Sequence, residues 1–377
     1  MREMRSLILR FVLVPVVFAS SAAAQPQTPA SDTQTLGRGW TALATGRADE
    51  AVSLANAVLK NKPRSHAAFT LKVEALSSGP QPLAALDAYE AWIPKGGHNV
   101  DDRGLLEPIA FGLLRVLSTD PNPVVRSAAL QFLADNGDAS AVAALRKSTA
   151  EGDQMATVAL IEAGDATAVQ SVQALVTSGM GRDMSGAIKA LGRQGRLTPK
   201  LLQTLATDRV PMNRAAIAEA LVSSNDPNAA QLLQTLAQDP DPLVHRSVIL
   251  ARAKNGDQPA LTEARAMLAS DVPDIRLIAA EALHETLPQE SEQAVRPLLN
   301  DRDGINRFRA AAIVGPSDPA VQSVLIEGLA NQNPVIQQTA GKIAAETLSA
   351  DIVLLRQLLR HTDRAVVVQA AGAIVRS

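Results

Sequence analysis

One feature constrains this chain more than any other: a unit of about 30 residues that recurs along most of its length. Segments of one shape return, each with an Asp, a turn containing Pro, an aliphatic residue, often an Arg, and then alanines. They read DPNPVVRSAAL from Asp120, DRVPMNRAAIAEAL from Asp208, DPDPLVHRSVIL from Asp239, DVPDIRLIAAEAL from Asp271 and DRDGINRFRAAAI from Asp301. Weaker copies start at Asn331 and Asp363. With the Arg position as anchor, the series runs Arg126, Arg214, His245, Arg276, Arg307, Gln337 and Val367, evenly spaced from Arg214 onward. The gap between Arg126 and Arg214 holds two more units, anchored near Thr157 and Ser185, which keep the apolar spacing but lack Pro and Arg. About nine units then fill residues 104–377. A unit this short cannot bury its apolar face alone, so such units have to stack on one another.

Each unit reads as two helices. In LLEPIAFGLLRVL, AAQLLQTLA, ALTEARAMLA and AVQSVLIEGLA the apolar residues recur at three and four, the helical period. The Asp or Asn that follows can cap the next helix by accepting its free N–H groups, and Pro suits that helix's first turn. Glycine closes the second helix, as in Asn136-Gly137-Asp138 and Asn255-Gly256-Asp257. Composition agrees. The chain is 46% apolar but only 2% aromatic, so Ala and Leu fill the core, which favours closely packed helices. The predicted fold is all-α, a superhelical solenoid of tandem helical hairpins.

These units resemble HEAT repeats of the short bacterial kind. The matching residues are Asp120, Pro123, Val125, Arg126 and Ala129, and in a later copy Asp271, Pro273, Ile275, Arg276 and Ala279. The resemblance implies that Asp and Arg form a ladder between successive units and that the second helices line the concave face. The ladder positions would be Asp120, Arg126, Asp208, Arg214, Asp239, His245, Asp271, Arg276, Asp301 and Arg307, with a break at the two middle units.

The remainder of the chain follows other patterns. Arg2, Arg5 and Arg10, an apolar run over 11–19 and Ala22-Ala23-Ala24 have the layout of a secretory signal peptide over residues 1–24. That implies an exported protein, periplasmic or secreted, with no integral membrane segment once the signal is cleaved. Residues 25–34 are rich in Pro, Ser and Thr and read as a loose leader. Residues 35–95 place Gly39, Gly46, Ala51, Pro63, Phe69, Leu76, Ala85, Tyr89 and Trp92 in a series that resembles two tetratricopeptide repeats, with Ala51 and Ala85 at equivalent positions. Residues 94–103 are the expected linker.

The residues give little support to catalysis. There is no Cys, which excludes disulfides, thiol nucleophiles and cysteine-ligated zinc. None of the five His residues pairs with another at i,i+3 or i,i+4, so no helix offers a two-histidine metal site. The single pair His284-Glu285 falls short of the several such pairs with which HEAT-type hydroxylases hold iron. Gly179 and Gly181 begin a dinucleotide-like loop, but Met184 occupies its third glycine position and no strand precedes it. The expectation is no cofactor, no metal and no catalytic residue. A formal net charge of −2 gives no electrostatic case for nucleic acid. What remains is surface. Counting one and five residues past each anchor selects Gln131, Glu162, Glu219, Arg246, Glu281, Phe308 and Lys342 as candidate contacts for a protein or peptide. The expected function is non-enzymatic protein–protein contact in the cell envelope. Its rivals are a permanent subunit of an envelope complex and an enzyme of unknown type that uses the groove.

Overall fold

The computed structural model describes residues 31–96, 102–177, 183–315 apart from 223 and 225, 318–329 and 352–376, with 331, 340, 343 and 344 as isolated positions. Residues 1–24, expected as a signal peptide, lie outside the described residues, as does most of the glycine loop near Gly179. The described residues form twenty-one α-helices and one short 3₁₀ helix, with no strand among them. The all-α solenoid class read from the repeats holds.

Four helices come first: α1 (Asp32–Ala44), α2 (Ala48–Asn61), α3 (His66–Ser77) and α4 (Leu83–Gly96). The chain is ordered earlier than its composition suggested. Ser31 caps α1 in a reciprocal box with Gln34, so the helix begins inside the stretch expected to be a loose leader. Small residues let these helices approach closely. Ala42, Ala51, Ala55 and Ala75 pack around Leu71, and Gly39 leaves room for the Leu71 side chain. Further along, Trp92 stacks on Phe69 at 4.0 Å and donates its indole N–H to the Pro63 carbonyl.

Helical hairpins follow. They are α5 (Arg103–Leu117) with α6 (Pro123–Asp135), α7 (Ala139–Ala150) with α8 (Gln154–Glu162), α9 (Ala166–Thr177) with α10 (Ser185–Arg193), and α11 (Pro199–Ala206) with α12 (Pro211–Val222). Next come α13 (Ala229–Leu236) with α14 (Pro242–Lys254), α15 (Gln258–Leu268) with α16 (Pro273–Leu283), and α17 (Pro288–Val295), extended by a 3₁₀ turn, with α18 (Gly304–Val314). Helix α19 (Pro319–Leu329) precedes the last pair, α20 (Ile352–Leu358) and α21 (Arg364–Arg376). Capping explains the boundaries. Asn122, Asp153, Asp241 and Asp303 each accept an N–H from the first turn of the following second helix. Gly137, Gly164, Gly195 and Gly256 end second helices at positive φ, which side-chain-bearing residues rarely adopt.

The anchor residues occupy the fourth position of their second helices, except in the third hairpin. There the helix starts at Ser185, so Ile188 and not Ser185 is the equivalent residue. The cap is Met184, which offers no side-chain oxygen, and the sequence pattern gave no boundary to count from.

The second helices pack on one another in the row α6, α8, α10, α12, α14, α16 and α18, and each except α10 packs on its own first helix; α9 packs on α7, α8 and α11. The row then closes. Helix α21 packs against both α5 and α6, so the last hairpin abuts the first. One continuous apolar core runs from Phe69 to Ile374. The ends meet through small residues and charge. A Cβ at Gly372 would overlap the Phe132 ring, so only glycine lets α21 come this close. Arg364 pairs with Asp120, Arg376 with Asp135, Arg356 with Glu90, and Arg360 with Asp87 and Glu90.

Candidate functional site

The expected ladder has two kinds of rung. Within a unit, the anchor Arg donates to the carbonyl six residues earlier. Arg126 reaches Asp120 O at 2.8 Å, Arg214 reaches Asp208 O at 2.8 Å, and Arg307 reaches Asp301 O at 2.7 Å. The side chains of Asp120, Asp208, Asp239 and Asp301 shape their turns by accepting the N–H two residues on. Between units, Arg214 grips Asp239 of the next turn with two bonds, at 2.6 and 2.8 Å. Arg126 lies 3.6 Å from Asp153, and Arg307 donates to Glu327 at 2.7 Å. His245 does not reach an acid and pairs with the Ala237 carbonyl at 2.9 Å.

One rung needs correction. Asp271 and Arg276 do not meet. Arg276 donates to the Ser270 carbonyl at 2.8 Å, and Ser270 Oγ takes the turn-shaping N–H of Val272. Asp271 stands five residues before its anchor where the other acids stand six, so it projects to solvent. In the middle units, without anchor arginines, other side chains stitch the stack. Arg146 grips Asp165 at 2.6 and 2.9 Å, Arg196 donates to the Asp165 carbonyl at 2.9 Å, and Arg193 pairs with Glu162.

Because the ring closes, the concave face becomes a lumen. One cavity on it, about 620 Å³, is lined by Val124, Ser127 and Gln131 of α6, Met155 and Val158 of α8, Glu281 of α16, Arg309 and Ala312 of α18, and Val368 of α21. A smaller one of about 290 Å³ lies beside Lys189, Glu219, Lys254 and Glu281. The charges on this wall answer one another across neighbouring helices. Arg309 binds Glu281 through two bonds, at 2.7 and 3.0 Å, and approaches Asp274 at 3.3 Å. Lys254 lies 3.1 Å from Glu285 and 3.6 Å from Glu219, and these carboxylates hold its ammonium more firmly protonated than usual. Among the described residues no group of three His, Cys, Asp or Glu side chains is placed to hold a metal ion.

The candidate contact residues therefore divide. Gln131 and Glu281 face the larger cavity and Glu219 the smaller, with Glu219 and Glu281 engaged in ion pairs. Glu162 is held by Arg193, and Arg246 is half-buried. Lys342 lies outside the described residues. Phe308 is not a contact residue at all. It is 0% exposed, with its ring against Gly328. The count of one past the anchor was off by one there: the inward position is two past, where Ala128, Ala159, Ser247, Ile278, Arg309 and Gln369 stand.

A row that the sequence reading passed over stands two residues before the anchors. Val124, Met155, Met212 and Ile305 sit there and are 40–45% exposed. They occupy the first turn of α6, α8, α12 and α18, where Gly186, Leu243 and Asp274 stand at the same place in α10, α14 and α16, and Val124 and Met155 also border the cavity. The signal was legible: an apolar side chain recurs at that position in four units without a core to enter.

The HEAT repeats family matches residues 198–284. That stretch begins at the Thr198 cap of α11 and ends just past α16, so it takes in three whole hairpins. Those three hairpins are similar to HEAT repeats, and such repeats are generally scaffolds for protein interaction. Among curated proteins no sequence matches this chain. An engineered protein solved by a structural genomics consortium aligns at 16% identity over 91% of this chain and 99% of its own, with a TM-score of 0.26. Nothing is carried across at that similarity.

Proposed function

We propose that this protein is a non-enzymatic, exported scaffold of the cell envelope that binds protein partners along the rim of its ring. The observation that carries the reading is the apolar row of Val124, Met155, Met212 and Ile305, exposed at one recurring position on HEAT-type hairpins. Exposed apolar side chains in register mark a contact surface better than scattered ones. The cavities on the inner wall, about 620 and 290 Å³, are too small for a folded partner, so the rim and the outer helices are the surfaces offered to one. Helices α1–α4, with Ala51 and Ala85 in close helix contacts, read as two tetratricopeptide-like hairpins and extend the surface available to a partner. The basic and apolar start of the chain supports export.

The test is affinity purification of the tagged chain from envelope fractions, compared with a Met155→Asp/Met212→Asp/Ile305→Asp variant. These side chains are exposed, so the variant folds normally. A specific partner recovered with the parent chain and lost with the variant supports the reading. A partner retained by the variant, or a tagged chain found unprocessed in the cytoplasm, overturns it.

A further inference from the structure

We propose that Asp226 receives an arginine side chain from a partner polypeptide, at a place in the stack where this chain supplies no arginine of its own. The proposal rests on the scaffold reading and adds one chemical feature of the partner. Arg146, Arg265 and Arg296 each stand eight residues before the second helix of their unit, α8, α16 and α18. Each reaches an acid at the start of the next unit. Arg146 binds Asp165 at 2.6 and 2.9 Å, Arg265 binds Glu290 at 2.9 and 3.0 Å, and Arg296 pairs with Asp318. In Asp165 and Asp318 the two oxygens have separate tasks: Oδ1 accepts an N–H from the first turn of the following helix, and Oδ2 takes the guanidinium.

The same place before α12 and α14 holds Gln203 and Gln234. Asp257, the acid after Gln234, takes Arg252 through Oδ2 instead, at 2.6 and 2.9 Å. Asp226, the acid after Gln203, has no such substitute. Its Oδ1 accepts the Asn228 N–H at 2.7 Å, while its Oδ2 is buried and has no hydrogen-bond partner among the described residues. A buried carboxylate oxygen without a donor is costly, and a charged donor removes that cost. Asp226 borders a cavity of about 370 Å³ together with Leu197, Pro199, Leu202 and Pro227, and it is the one charged side chain among the described residues that line it. The carboxylate selects a cation, and the apolar wall suits a methylene stem. A guanidinium fits a carboxylate with a fork of donors and is less strongly hydrated than an ammonium, so arginine is favoured over lysine.

The test is methyl NMR titration of the full chain, following Leu197 and Leu202, with acetyl-arginine amide, acetyl-lysine amide and acetyl-citrulline amide. Citrulline keeps the shape of arginine without its charge. Saturable shifts at both leucines are expected with the arginine compound, about tenfold tighter than with citrulline and tighter than with lysine. Asp226→Asn keeps an acceptor for the turn and should weaken binding about tenfold. Gln203→Arg, at an exposed helix position, supplies the missing arginine from within the chain. It should raise the melting temperature and weaken binding about tenfold. An arginine flanked by two glycines on each side, blocked at both ends, should bind at least as tightly as the single amide. Equal affinity for citrulline or lysine, or undiminished binding by folded Asp226→Asn or Gln203→Arg, overturns the proposal. So does a site that takes the amide and excludes the peptide, which would be one for a free small molecule. The exposed apolar row is untouched throughout, so these failures leave the scaffold reading standing.

Discussion

Asp120 and Arg364 stand 244 residues apart in the chain, yet Arg364 Nη1 donates to Asp120 Oδ2 at 2.8 Å. Asp120 Oδ1 meanwhile accepts the Asn122 N–H at 2.8 Å. One carboxylate thus shapes the first inter-helix turn and receives the last helix. In the interior of the stack the same role falls to Asp239, which receives Arg214 of the preceding unit. The seam is a unit interface made between the two ends.

The charges of that seam can be removed without emptying its core. Arg364 is largely exposed but Asp120 is buried, so Arg364→Ala alone should cost about 1–2 kcal/mol, the part due to leaving that carboxylate short of a donor. Replacing Arg356, Arg360, Arg364 and Arg376 together with Ala should weaken closure by about 2–4 kcal/mol, since the half-exposed pairs of Arg360 and Arg376 contribute little and those of Arg356 and Arg364, each with a mostly buried partner, contribute more. Hydrogen exchange should then quicken in α20 and α21 and on the facing sides of α5 and α6, with helical content retained. A wider particle by small-angle scattering is the accompanying sign. Exchange that quickens evenly along the chain would show that the arginines do not act at the seam.

Gly372 offers a sharper probe. In a helix interior glycine is about 1 kcal/mol worse than alanine, so Gly→Ala ordinarily stabilises. Here the added methyl would enter the Phe132 ring, which Arg376 covers from 4.3 Å. Overpacking of this kind costs about 1–3 kcal/mol. Gly372→Ala should therefore destabilise the parent chain and become neutral or stabilising in a Phe132→Ala background. Urea titration of the four chains measures the coupling, and a coupling near zero would place the two helices apart.

The helices and their stacking were readable because caps, prolines and closing glycines repeat at fixed spacing, and each is a local signal. Closure was not readable. Its contacts join Asp120 to Arg364 and Phe132 to Gly372, and an open row and a closed one share the same pattern within each unit. Curvature is the sum of small rotations between neighbours, which no single unit records. The site was readable only in part because helix faces change with every residue. Phe308 and Arg309 are adjacent, yet the first enters the core and the second the lumen. The same sensitivity separates Asp271 from the ladder, one place from where its counterparts stand.

That difference makes Asp271 a control for the ladder. Arg214 and Asp239 are both mostly buried, and breaking one partner leaves the other charge without its bonds. Arg214→Ala should cost about 2–3 kcal/mol, whereas Asp271→Ala should stay within about 0.5 kcal/mol. The pH dependence follows from Asp239. The hydrogen bond from Arg214 holds its carboxyl below the usual value of 3.8. Its contribution is complete above that value and is lost as pH falls through the lowered one. Acid unfolding of Arg214→Ala should be less steep below pH 4 than that of the parent chain. Equal melting of the Arg214 and Asp271 variants would remove Arg214 from the ladder.

Glu74 has the opposite sign. It sits half-buried on α3, and burial pushes its carboxyl above the usual value of 4.5; Arg115 pulls it down and Glu107 pushes it up again. A carboxyl with a raised value binds its proton more tightly in the folded chain, so ionising it at neutral pH works against folding. Glu74→Gln keeps the shape and removes that charge. It should raise the melting temperature at pH 7. The gain should shrink as pH falls through the raised value and vanish below about 4.5, where Glu74 is neutral in both folded and unfolded chains. Thermal melts of the two chains between pH 4 and pH 8 check the sign. A variant less stable than the parent at pH 7 would mean that attraction from Arg115 outweighs burial at this site.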